Sequence, residues 1–460
     1  MLRHESDDDL WHYNCLDCVR TREVGETLDR VARDLEKTWP ELPKVRAFQQ
    51  RMFWPVLQAM QRGVRIDPLL RKEFDGLLVA EIAEREAAFK AILGHPLNPR
   101  SSPQMKALFY EDLQCKPNYK RGGGGPAPIT LDDQALEKIL NERPILAPLI
   151  YAIQEPRSLN VFLSTFTRAA LDVDGRMRTS YSVGGAESYR LKSKKNAFGS
   201  GTNLQNIPKG GEDAGGLRLP NIRRLFIPDH GYTIFDTDLS KADLRIVVWE
   251  SDEREMKAML REGRDPYVET AREFYHDPTI RKTLDDGSEH PKYRIFKSFC
   301  HGTHYLGTPT GLSQRLGLTV HEAERTQRWY FAKYPSIKLW QNEFKHRVSS
   351  RRFVQNIFGY RRYYFGRADD AMLREAIAWL PQSTVALYIN HIWLRIFERH
   401  PSIQILMQVH DSLVGQFPTH QRDAALAAIA ECGQVVLPYE DPLIIPLGVK
   451  TSESSWGDCK

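Results

Sequence analysis

Three short segments carry side chains that could do chemistry together. In YTIFDTDLSKADLRIVVWES, an apolar run from Thr233 to Phe235 ends in Asp236 and Asp238, ahead of a helix-compatible stretch, KADLRIVVWE. A carboxylate at a strand end is rigidly held yet open, which is what a hard metal ion requires of its ligand. In IQILMQVHDSLVGQF, two apolar runs flank His410 and Asp411, a pattern that predicts a hairpin with Asp411 at its tip. An unpaired carboxylate between buried strands is costly, so stability alone does not account for it. Taken singly, each Asp is explained more simply by helix capping or turn closure. In YRIFKSFCHGTHYLGT, Lys297, His301 and Tyr305 recur every four residues and Arg294 precedes Lys297 by three. On a helix these share one face, a stripe of cations followed by two rings. Such a stripe suits a triphosphate gripped by Arg and Lys, with a base or sugar against the rings. The plainer alternative is a half-buried helix with snorkelling basic side chains.

These segments need scaffolding, and the rest of the chain predicts it. An acidic start leads into a charged helix through REVGETLDRVARDLEKTW, which Pro40 and Pro43 interrupt before an apolar-periodic helix, RAFQQRMFWPVLQAM. Helical stretches continue to about residue 170, broken by KPNYKRGGGGPAP, whose four glycines and two later prolines predict a linker. Lys116, Lys120 and Arg121 beside Tyr119 suit either a phosphate grip or a solvated loop. Strands and turns follow to about residue 250 (GRMRTSYSV, IRRLFIP, YTIFDTDL), then a helical block to about 350. Strand-like segments return at RRFVQNIFGYRRYYF and IQILMQVHDSLVGQF. One sheet assembled from two separated parts of the chain is expected, and no internal repeat is visible.

A length of 460 residues predicts two to four lobes. A hydrophobic fraction of 41% and a charged fraction of 27% are those of a globular protein. The net charge of +5 permits a nucleic-acid partner without requiring one. No run of about 18 apolar residues is present, and MLRHESDDDL resembles neither a secretory signal nor a transit peptide. A cytoplasmic site, host cytoplasm for a viral protein, is the expectation. Cys15 and Cys18 form a CxxC without a second ligand pair, which reads as two reduced thiols on one helix.

In order and spacing, the three segments resemble motifs A, B and C of the family A DNA polymerases. DLSKADLR is similar to DYSQIELR, QVHDSLV is similar to QVHDELV, and Lys297, His301, Gly302 and Tyr305 follow the motif B spacing. GRMRTSYS, YRLKS with Arg190, and Asn203 to Pro208 as NLQNIP resemble the family's primer-template signature. FGYRRYY and REAIAWLPQST, with Arg374 and Gln382, resemble the entry to the second half of the palm, and VLQAMQRGVRID the entry to the thumb. The match covers roughly residues 46–460.

The resemblance implies an α+β right-hand fold: a palm with an antiparallel sheet, helical fingers inserted into it, and a helical thumb. Expected boundaries are a remnant exonuclease C-terminal helix at 1–45, thumb at 46–155, palm at 156–250, fingers at 251–369 and second palm part at 370–460. It implies template-directed addition of dNTPs to a primer 3′-hydroxyl with release of pyrophosphate, through two Mg²⁺ ions that Mn²⁺ can replace. Asp238, Asp411 and the Leu239 backbone carbonyl would hold the metals, with Asp238, Asp411 and Lys297 as catalytic groups. The DxSxxxLR frame selects Asp238 and passes over Asp236, one strand step earlier on the same face. Lys241, Asp243, Arg294, His301 and Tyr305 would meet the nucleotide. Arg190, Asn203, Gln205, Asn206, Arg374, Gln382 and His410 would meet the DNA. Primer-template DNA and dNTPs are the expected partners of a monomer, with a separate exonuclease or replisome proteins as further candidates.

Four positions depart from the family pattern. Tyr293 stands where motif B has its first Arg, and Lys292 or Arg294 is the candidate replacement. His301 replaces Phe or Tyr, Asp243 replaces the Glu that excludes ribonucleotides, and Ser412 replaces an accessory Glu. HYNCLDCVRT, with Tyr13 and Asp17, resembles the last motif of a 3′–5′ proofreading exonuclease. Neither the DxE strand nor the second Asp segment of such a nuclease precedes Tyr13, so the expectation is a chain without proofreading, and with the divergent motif B this leans towards a phage source. A single-subunit RNA polymerase is the nearest rival, opposed by a carboxylate at Asp243; a non-catalytic scaffold is opposed by the presence of both metal-binding Asp residues; a nuclease lacks its carboxylates.

Overall fold

The computed structural model describes residues 7–120, 127–196, 198–212, 218–285 and 287–460. Four strands form the sheet that matters for function: β1 (Tyr232–Leu239), β2 (Gln404–Val409), β3 (Ser412–Pro418) and β4 (Leu447–Ser452). Their order is β2-β3-β1-β4 and every pairing is antiparallel. The expected assembly from two distant parts of the chain is therefore present, with β1 clasped between strands that arrive much later.

Side chains alternate along a strand with a period of two, so Ile234, Asp236 and Asp238 share one face of β1 while Phe235, Thr237 and Leu239 share the other. The faces belong to different cores. Phe235 and Leu239 join Leu413 and Phe417 in the main cluster; Ile234 joins Val409, Val414 and Trp456 in a second. Ile234 and Phe235 are both fully buried, so apolar cover is complete on both sides early in β1. On the Ile234 face that cover thins at Asp236 and is gone at Asp238, which is exposed. An acid at that point stays hydrated while its backbone stays locked.

The helices around the sheet are α1 (Asp7–Glu36), α2 (Leu42–Arg62), α3 (Pro68–Leu93), α4 (Asp133–Glu142), α5 (Ala147–Val161) and α6 (Ala242–Glu250). They continue with α7 (Pro291–His304), α8 (Pro309–Leu316), α9 (Val320–Lys333), α10 (Pro335–Arg351) and α11 (Asp370–Arg399). α3 starts on a Pro behind the Asp67 cap, whose side chain accepts from Leu69 and Leu70 N–H, and stops at the left-handed Gly94. Its near half packs Phe74, Leu78 and Ile82 into the second core, while Phe89 reaches a third, separate cluster with Leu136, Ile139, Ile150 and Ile153. A 26-residue helix of about 39 Å thus carries a small independently packed tip away from the sheet.

Packing redraws two expectations. α2, placed with the thumb from residue 46 onward, instead sinks Phe48, Met52, Val56 and Ala59 into the main core with Phe235 and Leu413. Its apolar face is continuous through Pro55, so nothing detaches it from the sheet. RRFVQNIFGYRRYYF forms a separate hairpin, Phe353–Gln355 with Arg361–Tyr363, and adds no strand to the sheet. Gly359, at φ +88°, turns that hairpin, and its carbonyl accepts the Trp39 indole N–H at 2.7 Å.

Within KPNYKRGGGGPAP, Asn118–Tyr119 pairs antiparallel with Ile129–Thr130. Arg121 and the four glycines lie outside the described residues. On α1 only Ala32 is buried, and Cys15 and Cys18 are exposed free thiols. Among the described residues no helix is long and apolar enough to cross a membrane.

Candidate functional site

Register brings the two key acids together. Asp236 pairs across from Val414, so two further residues along antiparallel β1 carry Asp238 opposite Ser412, the neighbour of Asp411. The Thr237 hydroxyl closes the junction, accepting from Leu413 N–H at 2.9 Å and donating to Leu413 C=O at 3.2 Å. His410 and Asp411 form the turn between β2 and β3, with His410 at φ +58°. Burial pushes the Asp411 carboxyl above its ordinary range, and the charges of Asp238 and then Asp243 push it further; His410 opposes. Neither Asp238 nor Asp411 has a salt-bridge partner among the described residues. Negative charge is therefore concentrated and uncompensated at the open end of the sheet.

Asp236 has the opposite environment. Its carboxylate accepts from Ser412 Oγ at 2.5 Å and from the Trp456 indole N–H at 2.9 Å, with Arg223 at 3.9 Å. The Arg223 guanidinium in turn lies 4.0 Å from the Trp456 ring centre. With both oxygens engaged, Asp236 is a strut. Ser412, where the family pattern has an accessory acid, serves that strut.

On α7, Tyr293, Phe296, Phe299 and Cys300 are buried while Arg294 and Lys297 are exposed and His301 is half-exposed, the predicted stripe. The helix ends one residue short of it: His304 is its last residue, and Tyr305 is the C-cap. Tyr305 still packs edge-on to His301 with ring centres 4.5 Å apart. His301 Nε2 lies 3.8 Å from Asp243 Oδ2. Among the described residues, Asp243 Oδ1 and the Tyr305 hydroxyl have no hydrogen-bond partner, and both are buried. Burial, reinforced by Asp243, pushes the Tyr305 phenol well above its usual range, with Arg190 opposing. A cavity of about 530 Å³ joins His301, Tyr305 and Arg315 to Arg374 and Gln382 of α11. Four expected site residues from two sequence-distant helices thus line one space, with Arg190 within electrostatic reach.

Other expected contacts are already engaged. Lys241, in the left-handed region at φ +51°, pairs with Asp265 at 3.2 Å. Asp265 also receives the hydroxyl of Tyr293, at 3.4 Å. Lys297 lies 3.5 Å from Glu289. The Asn203 side chain caps its own turn, accepting Gln205 N–H at 3.0 Å, while Asn206 is exposed. Gln205 donates to Gln408 Oε1 at 2.7 Å, and Gln408 donates to the His410 carbonyl. Tyr181, buried, donates to Gln408 C=O and accepts Gln408 N–H, each at 3.1 Å. Leu239, expected to offer its carbonyl, is the buried last residue of β1.

Sequence reasoning overlooked Tyr181, Thr237, Arg245, Arg315 and Gln408. Arg245, whose guanidinium donates to Ser240 C=O at 2.9 Å, sits inside the DLSKADLR frame and was legible there. Thr237, between the two candidate acids, was also visible. Arg315 and the Tyr181–Gln408 pair left no local signal, because their partners are remote in sequence.

A family model described as DNA polymerase family A matches residues 70–458. The chain is 27% identical over 400 residues to the thermostable DNA polymerase I of Thermus filiformis, covering 84% of this chain and 45% of that one. It is 26% identical over 455 residues to the enzyme of Thermus aquaticus (93% and 51%) and 27% identical over 378 residues to DNA polymerase I of Helicobacter pylori (79% and 38%). The chain spans about half the length of these curated relatives. Among solved structures, the POL domain of Pol1 from M. smegmatis, in complex with DNA primer-template and dNTP, matches with a TM-score of 0.74 at 20% identity. That match covers 89% of this chain and 70% of the other, and it identifies the right-hand polymerase fold.

Proposed function

We propose that this chain, which belongs to DNA polymerase family A, extends a DNA primer on a template by nucleotidyl transfer from dNTPs. One observation carries the reading: Asp238 and Asp411 converge at the open end of the sheet with their charge unbalanced, beside the cavity-lining face of α7.

The donor set fits divalent magnesium. Among the described residues no cluster of three or more His, Cys, Asp or Glu gathers to hold a metal, so this is no closed all-protein cage. Mg²⁺ is characteristically held by one or two carboxylates, with waters and substrate phosphates completing the shell. Two acids without ion pairs among the described residues, the charge of Asp238 raising the proton affinity of Asp411, match that chemistry. Asp238, Asp411 and the Leu239 carbonyl would be its ligands. Bound there, the metal supplies activation of the primer hydroxyl and neutralisation of the triphosphate and pyrophosphate charge.

The protein's own part is positioning. Lys297 and Arg294, on the open side of α7, steer the triphosphate; Lys297 must leave Glu289 to reach it. Tyr305, His301 and Asp243 bound the sugar and base. Arg374 and Gln382 on the far wall of the cavity, with Gln205 and His410 over the sheet, hold template and primer terminus. The reading includes no proofreading by the N-terminal helix, since Tyr13 and Asp17 on exposed α1 bring one carboxylate where a two-metal nuclease needs several.

Primer extension with dNTPs and Mg²⁺ tests the reading. Incorporation by the wild-type chain, lost in Asp411→Asn while primer-template binding persists, is the expected result. A preference for rNTPs would hand the assignment to an RNA polymerase.

A further inference from the structure

We infer that a crevice on the sheet face opposite the carboxylates is a second nucleotide site, reading a base edge with His391 and a phosphate with Lys44, Arg51 and Arg395. The crevice has a volume of about 330 Å³ and is walled by α2, α11, the 353–363 hairpin and residues 435–438. That size admits one nucleotide. His391 is nine residues beyond Gln382 on α11, about 13 Å farther along the helix, so the space is separate from the α7 cavity.

The imidazole of His391 is sandwiched. The Phe48 ring centre lies 4.0 Å away on tilted planes, and Phe358 lies 4.8 Å away, stacked at 23°. With both ring faces covered, His391 presents its edge to the crevice. His391 is half-buried and lines the crevice, and neither ring nitrogen has a hydrogen-bond partner among the described residues, so its edge is open to a ligand. Burial first, then Arg395, Lys44 and Arg51, pulls the His391 pKa down to about 3. The ring is therefore neutral, one nitrogen a donor and the other an acceptor, and the edge turned to the crevice exchanges one hydrogen bond with a nucleobase.

The cations supply the other half. Lys44 is exposed with no ion pair among the described residues. Arg51 is paired with Glu398 at 2.6 Å, and Arg395 donates to the Gln434 carbonyl at 2.8 Å, which fixes its head near the crevice. Glu398 offsets one of three positive charges, and the surplus suits a phosphate. A planar polar edge and an anion joined by a short linker describe a nucleotide.

Calorimetric titration of the full chain in EDTA, with dAMP, inorganic phosphate and a 5′-phosphorylated trinucleotide, tests the site. The expected result is one dAMP per chain with a dissociation constant below about 1 mM. Lys44→Glu should weaken binding roughly tenfold, and Val436→Trp, which fills the crevice from its rim, should abolish it. Primer extension by both variants should stay within about twofold of wild type, which also shows that they fold. Tighter binding of dAMP than of the trinucleotide assigns the site to free nucleotides, the reverse to strand ends. No dAMP binding, binding indifferent to both substitutions, or phosphate binding as tightly as dAMP overturns the proposal. The titration needs no catalysis, so failure of the polymerase reading would appear in the extension assay alone.

Discussion

The open end of the sheet and the α7 cavity treat their side chains differently. At the sheet, each acid's position follows from strand register, a Thr237 rung and two apolar cores. Around α7, Lys297 and His301 stand on one helix face and Tyr305 follows at the C-cap, with adjustable partners such as Glu289 and Asp243. Groups that need fixed spacing are mounted on backbone that cannot slip, because a register shift of one residue would turn every side chain over. On the proposed reading, groups that recognise a succession of different base pairs are mounted where side chains can move.

The largest test of that division is loss of a sheet acid. Asp238→Asn and Asp411→Asn should each lower the single-turnover rate at least about a thousandfold, roughly 4 kcal/mol of transition-state stabilisation, with primer-template affinity nearly unchanged. Equal loss of affinity would mean that the acids organise DNA binding instead.

Paired glycine substitutions compare the rigidity of the two regions directly. A Cβ on Gly415 of β3 would meet Phe235 Cζ at 2.5 Å and the Gln404 carbonyl at 2.7 Å. A Cβ on Gly302 of α7 would meet the Arg315 guanidinium at 2.4 Å and a Leu312 methyl at 2.6 Å, both ends of side chains. Gly415→Ala should destabilise by about 2–3 kcal/mol in urea titration, and Gly302→Ala by about 1 kcal/mol or less. Similar losses would remove the distinction.

His301→Ala should raise KM for dNTP up to about tenfold with kcat largely retained, because the ring packs on Tyr305 and approaches Asp243 without touching the sheet acids. A selective fall in kcat would give His301 a part in the chemistry.

The smallest effect lies near the base of α3. Arg178 holds the Asp174 carboxyl down from the ordinary 3.8 to about 2, through a hydrogen bond at 2.6 Å. A depressed acid contributes stability that is present above about 3.8 and fades as pH falls through 2. Asp174 is 44% exposed, so screening keeps the contribution below about 1 kcal/mol. Asp174→Asn should lower the melting temperature slightly at pH 7 and not at all near pH 2.

Local sequence was enough for the strand ending in two acids, the hairpin tip at Asp411, the α7 stripe and the helical insertion. Each depends on periodicity or turn chemistry within about fifteen residues. The frame DxSxxxLR even separated Asp238 from Asp236, yet it gave no physical reason; that came from Trp456 and Ser412, which reach Asp236 from the far end of the chain. Only tertiary packing assigned α2 to the main core, tied Lys241 to Asp265, and brought Arg374 and Gln382 into the cavity of His301 and Tyr305. Periodicity reports which face of an element is buried and is silent about which other element covers it. That choice is made by long-range contacts, whose partners leave no mark on one another's neighbouring residues.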